Sequence, residues 1–146
     1  MLIQLSTGAV NAMIGSTGLA GALEAGGMEL RIYSGTAPAD ADAAIGAAVL
    51  LVTIKNGASA LTWYTPVGWV LSKPSGETWS VTAVASGTAT FGRFVVAADT
   101  GAASTTDARI QGDVATIGAF INLDNPAMVS GAVQTVNSAQ LIQPRQ

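Results

Sequence analysis

The stretch GMELRIYSGTAPADAD, residues 27–42, decides the fold. Its first half alternates apolar and polar side chains with a period of two, which is typical of a half-buried β-strand. The apolar positions, which we expect to found the core, are Met28, Leu30 and Ile32. Its second half places one Pro and two Asp among small residues, which predicts a turn-rich loop. The chain before this stretch has helical character, and almost every segment after it has β character.

The residues before this stretch predict one short helix. Ser6 or Thr7 can cap its N-terminus, and apolar side chains then recur at a spacing of three to four. The pattern predicts a helix over residues 7–24 with a weak point near Gly15-Ser16, since glycine disfavours a helix by about 1 kcal/mol relative to alanine. Gly26-Gly27 ends it. Residues 1–26 therefore form an N-terminal arm.

Short apolar or alternating segments, separated by turn signals, fill the rest of the chain. Strands are predicted at 48–54, 61–64, 68–72, 78–85, 88–98, 108–114, 120–123, 128–136 and 139–142, with Pro144 ending the last one. Asn56-Gly57 is a strong hairpin signal between the first two of these strands. Many short strands at such intervals indicate a β-sandwich or barrel. A length of 146 residues favours one domain, and we predict a single-domain β-sandwich over 1–146.

Composition excludes several classes of function. The six basic residues occur singly, so no cluster can neutralise several phosphates, and nucleic-acid binding is not expected. The chain has no His and no Cys, which rules out Ser-His-Asp and Cys-His catalysis, disulfides and thiolate metal sites. Only 10% of the residues are charged, and protein-contact surfaces are depleted in Lys, Glu and Asp. This favours an interaction protein over the alternative, an ordinary small β domain with a Ser/Thr-rich surface.

Three features could carry chemistry, and each has a simpler structural interpretation. Asp40 and Asp42 could offer oxygens to Ca²⁺, but they lack the EF-hand spacing and suit a turn better. The glycines of residues 15–21 lack the Gly-Lys-Ser/Thr of a phosphate-binding loop. Five other acids could pair as glycosidase carboxylates, although nothing in the sequence fixes a pair: Glu77, Asp99, Asp107, Asp113 and Asp124. We therefore expect no enzyme, cofactor, metal ion or small-molecule substrate.

Aromatic side chains crowd one segment around Pro66. Trp63, Tyr64 and Trp69 could anchor a partner, since aromatic residues are enriched at interface hot spots, or they could fill the core. The sequence of this segment is compatible with both roles, partner contact and core packing. Trp79, in contrast, has the strand phase of a core residue.

The N-terminus carries no targeting signal that the sequence reveals. No Lys or Arg precedes Arg31, so the basic region of a signal peptide is missing. Polar residues and glycines interrupt the apolar run of residues 8–23, which makes a membrane span improbable. We expect synthesis in the cytoplasm of the cell that makes the chain, and no membrane partner.

Several segments, in this order, resemble virion proteins of tailed phages and prophages. They are MELRIYSGTAPADADAA (28–44) with AVLLVTI (48–54), GTATFGRFVVAADTG (87–101) with ARIQGDV (108–114), and INLDNPAMVSGAVQTVNSAQLIQP (121–144). Residues 55–80 depart most from the family pattern. The closest role within this family is a capsid cement, or decoration, protein. The resemblance implies a jelly-roll-like β-sandwich and a place on the capsid surface of the virion.

The resemblance also implies partners. A cement protein binds the outside of the assembled shell across neighbouring copies of the major capsid protein, and associates with itself as a homodimer or homotrimer. A tail, baseplate or fibre component is the alternative. We hypothesise that partner contacts come from an exposed apolar N-terminus and from the aromatic segment. These residues are Leu2, Ile3, Leu5, Trp63, Tyr64 and Trp69.

Overall fold

A computed structural model describes residues 1–142, and Pro144, predicted to end the last strand, lies outside this range. The chain is mainly β, with 39% strand and 11% helix, which confirms the predicted fold class. The two helices are α1 (Thr7–Ile14) and α2 (Gly18–Ala25). The strands are β1 (Ile3–Leu5), β2 (Met28–Ser34), β3 (Val49–Ile54), β4 (Val70–Ser72), β5 (Ser80–Thr82), β6 (Gly87–Thr88), β7 (Phe91–Val96), β8 (Ile110–Ala115), β9 (Ile121–Leu123), β10 (Ala127–Met128) and β11 (Val133–Ile142).

Nine strands form one curled sheet. Its order is β3-β2-β7-β8-β9-β11-β4, with β1 added to β8 and β5 added to β11, while β6 and β10 pair separately. Only β8 and β9 run parallel among the paired strands of residues 1–142. The Val84 amide donates to the Leu51 carbonyl at 2.8 Å, and Asn56 forms a bridge with Trp79. These contacts bring β3 against the β5 segment, so the sheet encloses its core almost as a barrel.

Aromatic rings fill the centre of the curl. Phe94 packs against Trp63 at 4.8 Å, Phe120 at 5.7 Å and Trp79 at 5.8 Å between ring centroids. The three predicted founders of the core on β2, Met28, Leu30 and Ile32, are fully buried around them. Trp79 is fully buried too, which confirms the prediction from the strand alternation that it is a core residue.

The predicted single helix is two helices, α1 and α2. The break follows Ile14, where Gly15 is extended and Gly18 has a φ of +70°, a conformation that glycine adopts without strain. The Ser6 hydroxyl accepts a hydrogen bond from the Ala9 amide at 3.0 Å, which confirms the predicted cap. Gly26 ends α2 as predicted. Neither helix of residues 1–142 has the length and apolar character needed to cross a membrane.

The polar face of β2 is covered, which the half-buried interpretation missed. Glu29 and Tyr33 are buried on that face. Polar side chains on this face form hydrogen bonds with the loops of residues 36–48 and 97–109. Arg31, for example, donates to the Asp99 carbonyl at 2.6 Å. The reverse holds for β3, whose continuous apolar run Val49-Leu50-Leu51-Val52 is not buried throughout, since Val49 is exposed.

The hairpin predicted at Asn56-Gly57 has its turn but lacks its second strand. The chain turns there, with Asn56 and Ser59 paired and Gly57 at a φ of +60°. Residues 61–64, however, form no strand, because their amides bond elsewhere: the Leu61 amide donates to the Met28 carbonyl at 2.8 Å. The predicted strand 128–136 begins in β10 at Met128, is interrupted by a turn, and continues in β11 from Val133. The predicted strand 139–142 belongs to the same β11, which has an irregularity between Val136 and Ser138.

Candidate interaction surfaces

The aromatic segment divides between core and surface. Trp63 is only 7% exposed and packs against Phe94 and Trp79, so its prediction as a contact residue is wrong. Its amide donates to Glu24 Oε1 at 2.6 Å, which ties the segment to α2 and turns the indole inward. Tyr64 and Trp69 are 55% and 59% exposed and remain contact candidates.

Trp69 stands at the tip of a tight turn. Val67 and Val70 pair across Gly68-Trp69, whose φ angles are +59° and +71°. Positive φ at both central residues is what a type I′ hairpin turn requires. Trp69 is the one non-glycine residue with a positive φ among residues 1–142, and for such a residue this conformation costs about 1–2 kcal/mol. The turn thus holds a large indole at the surface in a strained backbone.

An apolar groove lies beside this turn. It has a volume of about 330 Å³, and we call it the helix groove. Its lining residues are Met13, Thr17, Gly18, Leu19, Ala20, Gly21, Pro66, Trp69, Leu71 and Leu141. The same segments also expose Ile14 and Val67. Residues 1–23 and 56–72, which supply nearly all of the lining, contain no Asp, Glu, Lys or Arg.

A second exposed apolar surface lies on the other end of β11. Val84, Val129 and Val133 are each mostly exposed, and we call them the valine face. Two hydrogen bonds of 2.9 Å join their segments: Ala83 N–H to the Ala132 carbonyl, and Gly131 N–H to the Ala83 carbonyl. Leu141, in the helix groove, follows Val133 by eight residues along β11. At about 3.3 Å per residue, Val133 and Leu141 are at most about 26 Å apart along the strand.

The N-terminal residues are held in the sheet. Ile3 pairs with Gly112 and Leu5 with Ile110, so β1 adds an antiparallel strand beside β8. The side chains of Ile3 and Leu5 pack against the core. The hypothesis of an exposed apolar N-terminus is therefore wrong for these two residues. Leu2 stays exposed, and its carbonyl accepts from the Asp113 amide at 3.1 Å.

The acidic loop has a structural role. Asp40 Oδ1 accepts from the Ala43 amide at 2.8 Å, the local turn bond that was predicted. Asp42 reaches further and accepts from both the amide and the hydroxyl of Thr7 at the start of α1. These bonds hold the pKa of the Asp42 carboxyl below its ordinary value. Among residues 1–142, no three acidic side chains come together in a way that could hold a metal ion.

A layer of buried charged and polar side chains lies between the sheet and its covering loops. Arg109 is fully buried and donates to Asp99 Oδ2 at 2.5 Å and to the Ala102 carbonyl at 2.8 Å. Arg93 donates to Gln111 Oε1 and to the Ala43 carbonyl, and burial lowers the pKa of Arg93. These bonds fix the loops to the sheet.

Two of the five predicted carboxylates share one partner, and the other three bond separate groups. Asp99 and Asp107 both contact Arg109, Asp113 accepts from the Phe120 amide, and Asp124 accepts from the Asn125 amide. Glu77 accepts from the Thr62 hydroxyl and from the Trp79 indole N–H, each at 2.5 Å. These contacts give each carboxylate a role in holding turns and side chains in place.

The chain has also been compared with known proteins. Comparison with protein-family models, with curated protein sequences and with solved structures finds no match in any of the three. The resemblance to tailed-phage virion proteins gains no support from these comparisons and stays a prediction.

Proposed function

We propose that this chain is a structural protein of a tailed-phage virion that binds the outside of the assembled capsid shell and cements neighbouring capsid subunits. Its partner is the major capsid protein, and its place is the capsid surface. The observation that carries the proposal is the pair of exposed apolar surfaces, the helix groove and the valine face, which lie towards opposite ends of β11 and at most about 26 Å apart along it. A protein that links others needs at least two contact surfaces on one body.

The chemistry of both surfaces suits protein contact. Clusters of exposed apolar side chains on a small domain mark interaction sites, and each Å² of apolar area removed from water contributes about 25 cal/mol. The buried layer around Arg109 supports this role indirectly, because it fixes the loops and keeps the two surfaces in a constant relative position. Preorganised surfaces lose less conformational entropy on binding.

Such binding would stabilise a shell by linkage. A protein that binds the assembled shell and not its separated subunits shifts the equilibrium towards assembly. Many copies, each with modest affinity, contribute together through multivalency. The chain needs no cofactor for this role.

The decisive measurement is the copy number in purified particles of the phage or prophage that encodes the chain. We expect a ratio to the major capsid protein of the order of one, measured by quantitative mass spectrometry, with density on the outer shell in cryo-microscopy. A handful of copies at the tail would contradict the cement proposal and favour the tail, baseplate or fibre alternative. Absence from the particle would contradict both.

Binding can be tested with variants of the valine face. Val84→Ser and Val133→Ser should together weaken co-sedimentation with shells prepared without this chain. If both side chains become fully buried on binding, the loss should be about 100-fold, since each buried valine contributes about 1.5 kcal/mol and 1.4 kcal/mol is tenfold in affinity. Ile117→Ser is the matched control, because Ile117 is 85% exposed and lies outside both surfaces. Equal binding by the double variant and the control would refute this assignment of the valine face.

A further inference from the structure

We infer that Asn56 is a site of self-modification, at which the chain converts its own asparagine into an isoaspartyl or aspartyl residue. Asn56 and Gly57 lie in the turn that follows β3, and asparagine is among the thermolabile residue types. The reaction needs water alone, and it changes both the charge and the backbone of the chain at one defined place. The inference is independent of the proposed function.

The reaction joins two neighbouring groups of the chain. The deprotonated backbone nitrogen of Gly57 attacks the side-chain carbonyl carbon of Asn56, and the new C–N bond closes an imide ring. The bond from that carbon to the side-chain nitrogen breaks, and the nitrogen leaves as ammonia with the proton lost from Gly57. Water then opens the ring. Opening at the former side-chain carbonyl gives aspartate, and opening at the backbone carbonyl gives isoaspartate, whose main chain is longer by one atom.

The structure leaves both reacting groups accessible. Gly57 has no Cβ to shield its nitrogen, and a Cβ built there would meet no atom within 4 Å. Within residues 1–142, neither the Gly57 amide nor the Asn56 side chain forms a hydrogen bond, so no other partner holds them apart. Residues 57–60 are all exposed, which lets the tip of the turn open locally and bring the two groups together.

The other asparagines of the chain lack this combination. They are Asn11, Asn122, Asn125 and Asn137. Asn125 precedes a proline, which has no N–H to lose, and the Asn122 side chain is hydrogen-bonded through both its oxygen and its nitrogen. Asn11 and Asn137 are exposed, but a residue with a Cβ follows each of them and hinders ring closure. Conversion should therefore concentrate at Asn56.

The fold requires the glycine that makes Asn56 labile. Asn56 and Ser59 pair across a two-residue turn in which Gly57 has a φ of +60°, while Ala58 has no positive φ. Positive φ at the first central residue alone is the pattern of a type II′ turn, and glycine is the residue that this position favours. The turn cannot lose Gly57 without strain, so the reactive pair is built into it.

Conversion acts on the closure of the sheet. Besides Ser59, the Asn56 backbone pairs with Trp79, and this bridge is one of the contacts that bring β3 against the β5 segment. An isoaspartyl residue inserts one main-chain atom here, so the pairings with Ser59 and Trp79 cannot both keep their register. Conversion therefore loosens this junction beside a fully buried tryptophan.

The test is peptide mapping of the full chain by mass spectrometry after incubation at mildly alkaline pH, with isoaspartate detected by protein isoaspartyl methyltransferase. A second sample is unfolded in guanidinium chloride, and incubation continues until its Asn56 is converted. In the folded chain we expect Asn56 to convert at least about 10-fold faster than Asn137, because a small rise in the barrier to ring closure has this effect on a rate. Equal rates at the two sites would overturn the inference, as would an Asn56 that stays intact in the folded chain while the unfolded chain converts.

The effect on sheet closure has its own control. Conversion adds one negative charge to the net charge of −3, so ion exchange separates converted from unconverted chain. The isoaspartyl form should have a urea midpoint about 0.5 M below that of wild type, the effect of losing one hydrogen bond. Asn56→Asp carries the same charge on a backbone of normal length and should unfold like wild type, and Asn56→Gln should also do so while staying unconverted. An isoaspartyl form that unfolds together with Asn56→Asp would overturn the assigned effect on sheet closure.

Discussion

Replacing Arg109 by methionine should strongly destabilise the fold. Its guanidinium is fully buried and donates to both carboxylate oxygens of Asp99, at 2.5 and 3.1 Å, and to the Ala102 carbonyl at 2.8 Å. Methionine fills a similar volume but makes none of these bonds, so a carboxylate with almost no access to water is left without its cation.

The magnitude follows from this burial. Removing one partner of a buried ion pair typically costs 3–5 kcal/mol, most of it the penalty for the charge left behind. The free energy of unfolding of a whole domain is about 5–15 kcal/mol, so Arg109→Met should remove a large fraction of it. Asp99→Asn should cost less, because Arg109 keeps a contact with Asp107 at 3.3 Å. In the double variant the two losses should be less than additive, since neither charge remains unpaired.

Urea unfolding measures these differences. With a slope of about 2 kcal/mol per M, a loss of 3–5 kcal/mol moves the midpoint down by about 1.5–2.5 M. Lys55→Met is the matched control, because Lys55 contacts Glu29 at 3.6 Å but is far more exposed, and Glu29 keeps its bond to Arg31. Exposed pairs contribute about 0–1 kcal/mol.

Equal midpoint shifts for Arg109→Met and Lys55→Met would contradict the large cost expected for the buried pair. Losses of Arg109→Met and Asp99→Asn that add without coupling would also contradict it, since that outcome means that the two groups do not act as a pair. If Arg109→Met is too unstable to purify, the unfolding free energies of Asp99→Asn and of the double variant still show how strongly Asp99 and Arg109 depend on each other.

Two smaller predictions concern the start of α1. Hydrogen bonds from Thr7 lower the folded-state pKa of Asp42. The stability that the ionised Asp42 carboxylate contributes is therefore complete above its unfolded-state pKa of about 3.8 and is lost as the pH falls through its folded-state pKa. Asp42→Asn should flatten this part of the curve of unfolding free energy against pH. Gly8→Ala should destabilise the protein by about 1–3 kcal/mol in urea unfolding, because its Cβ would lie within 3 Å of the Thr106 and Asp107 backbone, which cannot move as a side chain can. A neutral Gly8→Ala would show that the loop yields at this contact.

Local patterns predicted the parts of the fold that local forces decide. The alternation of Met28, Leu30 and Ile32 identified core positions, because a period of two puts one face of a strand on the core wherever that strand lies in the sheet. The caps at Ser6 and Gly26 followed from the hydrogen-bonding and backbone needs of helix ends. These features need no knowledge of the strand order.

Features that depend on distant segments could not be predicted in this way. The sequence of a polar face on β2 is the same whether water or a loop covers that face. Here it is covered by two loops, residues 36–48 and 97–109, which are about 50 residues apart in the chain. Trp63 and Tyr64 are adjacent, yet one is core and the other is surface, because residues 61–64 follow an irregular path that no period describes. The lengths of the loops 36–48 and 97–109 were the available signal, since a long loop in a small domain often lies over a face of the sheet.

The buried layer also explains why so little charge reaches the surface. Of the six basic residues, Arg93 and Arg109 are buried and Arg31 is nearly so, which leaves Lys55 and Lys73 as the surface cations of residues 1–142. The few cations of the chain therefore act mainly inside, where they hold the loops on the sheet. The segments that carry the valine face, residues 81–86 and 127–136, contain no Lys or Arg, so contact there depends on apolar area and shape. Lys73, in contrast, lies beside residues 137–140 towards the other end of β11.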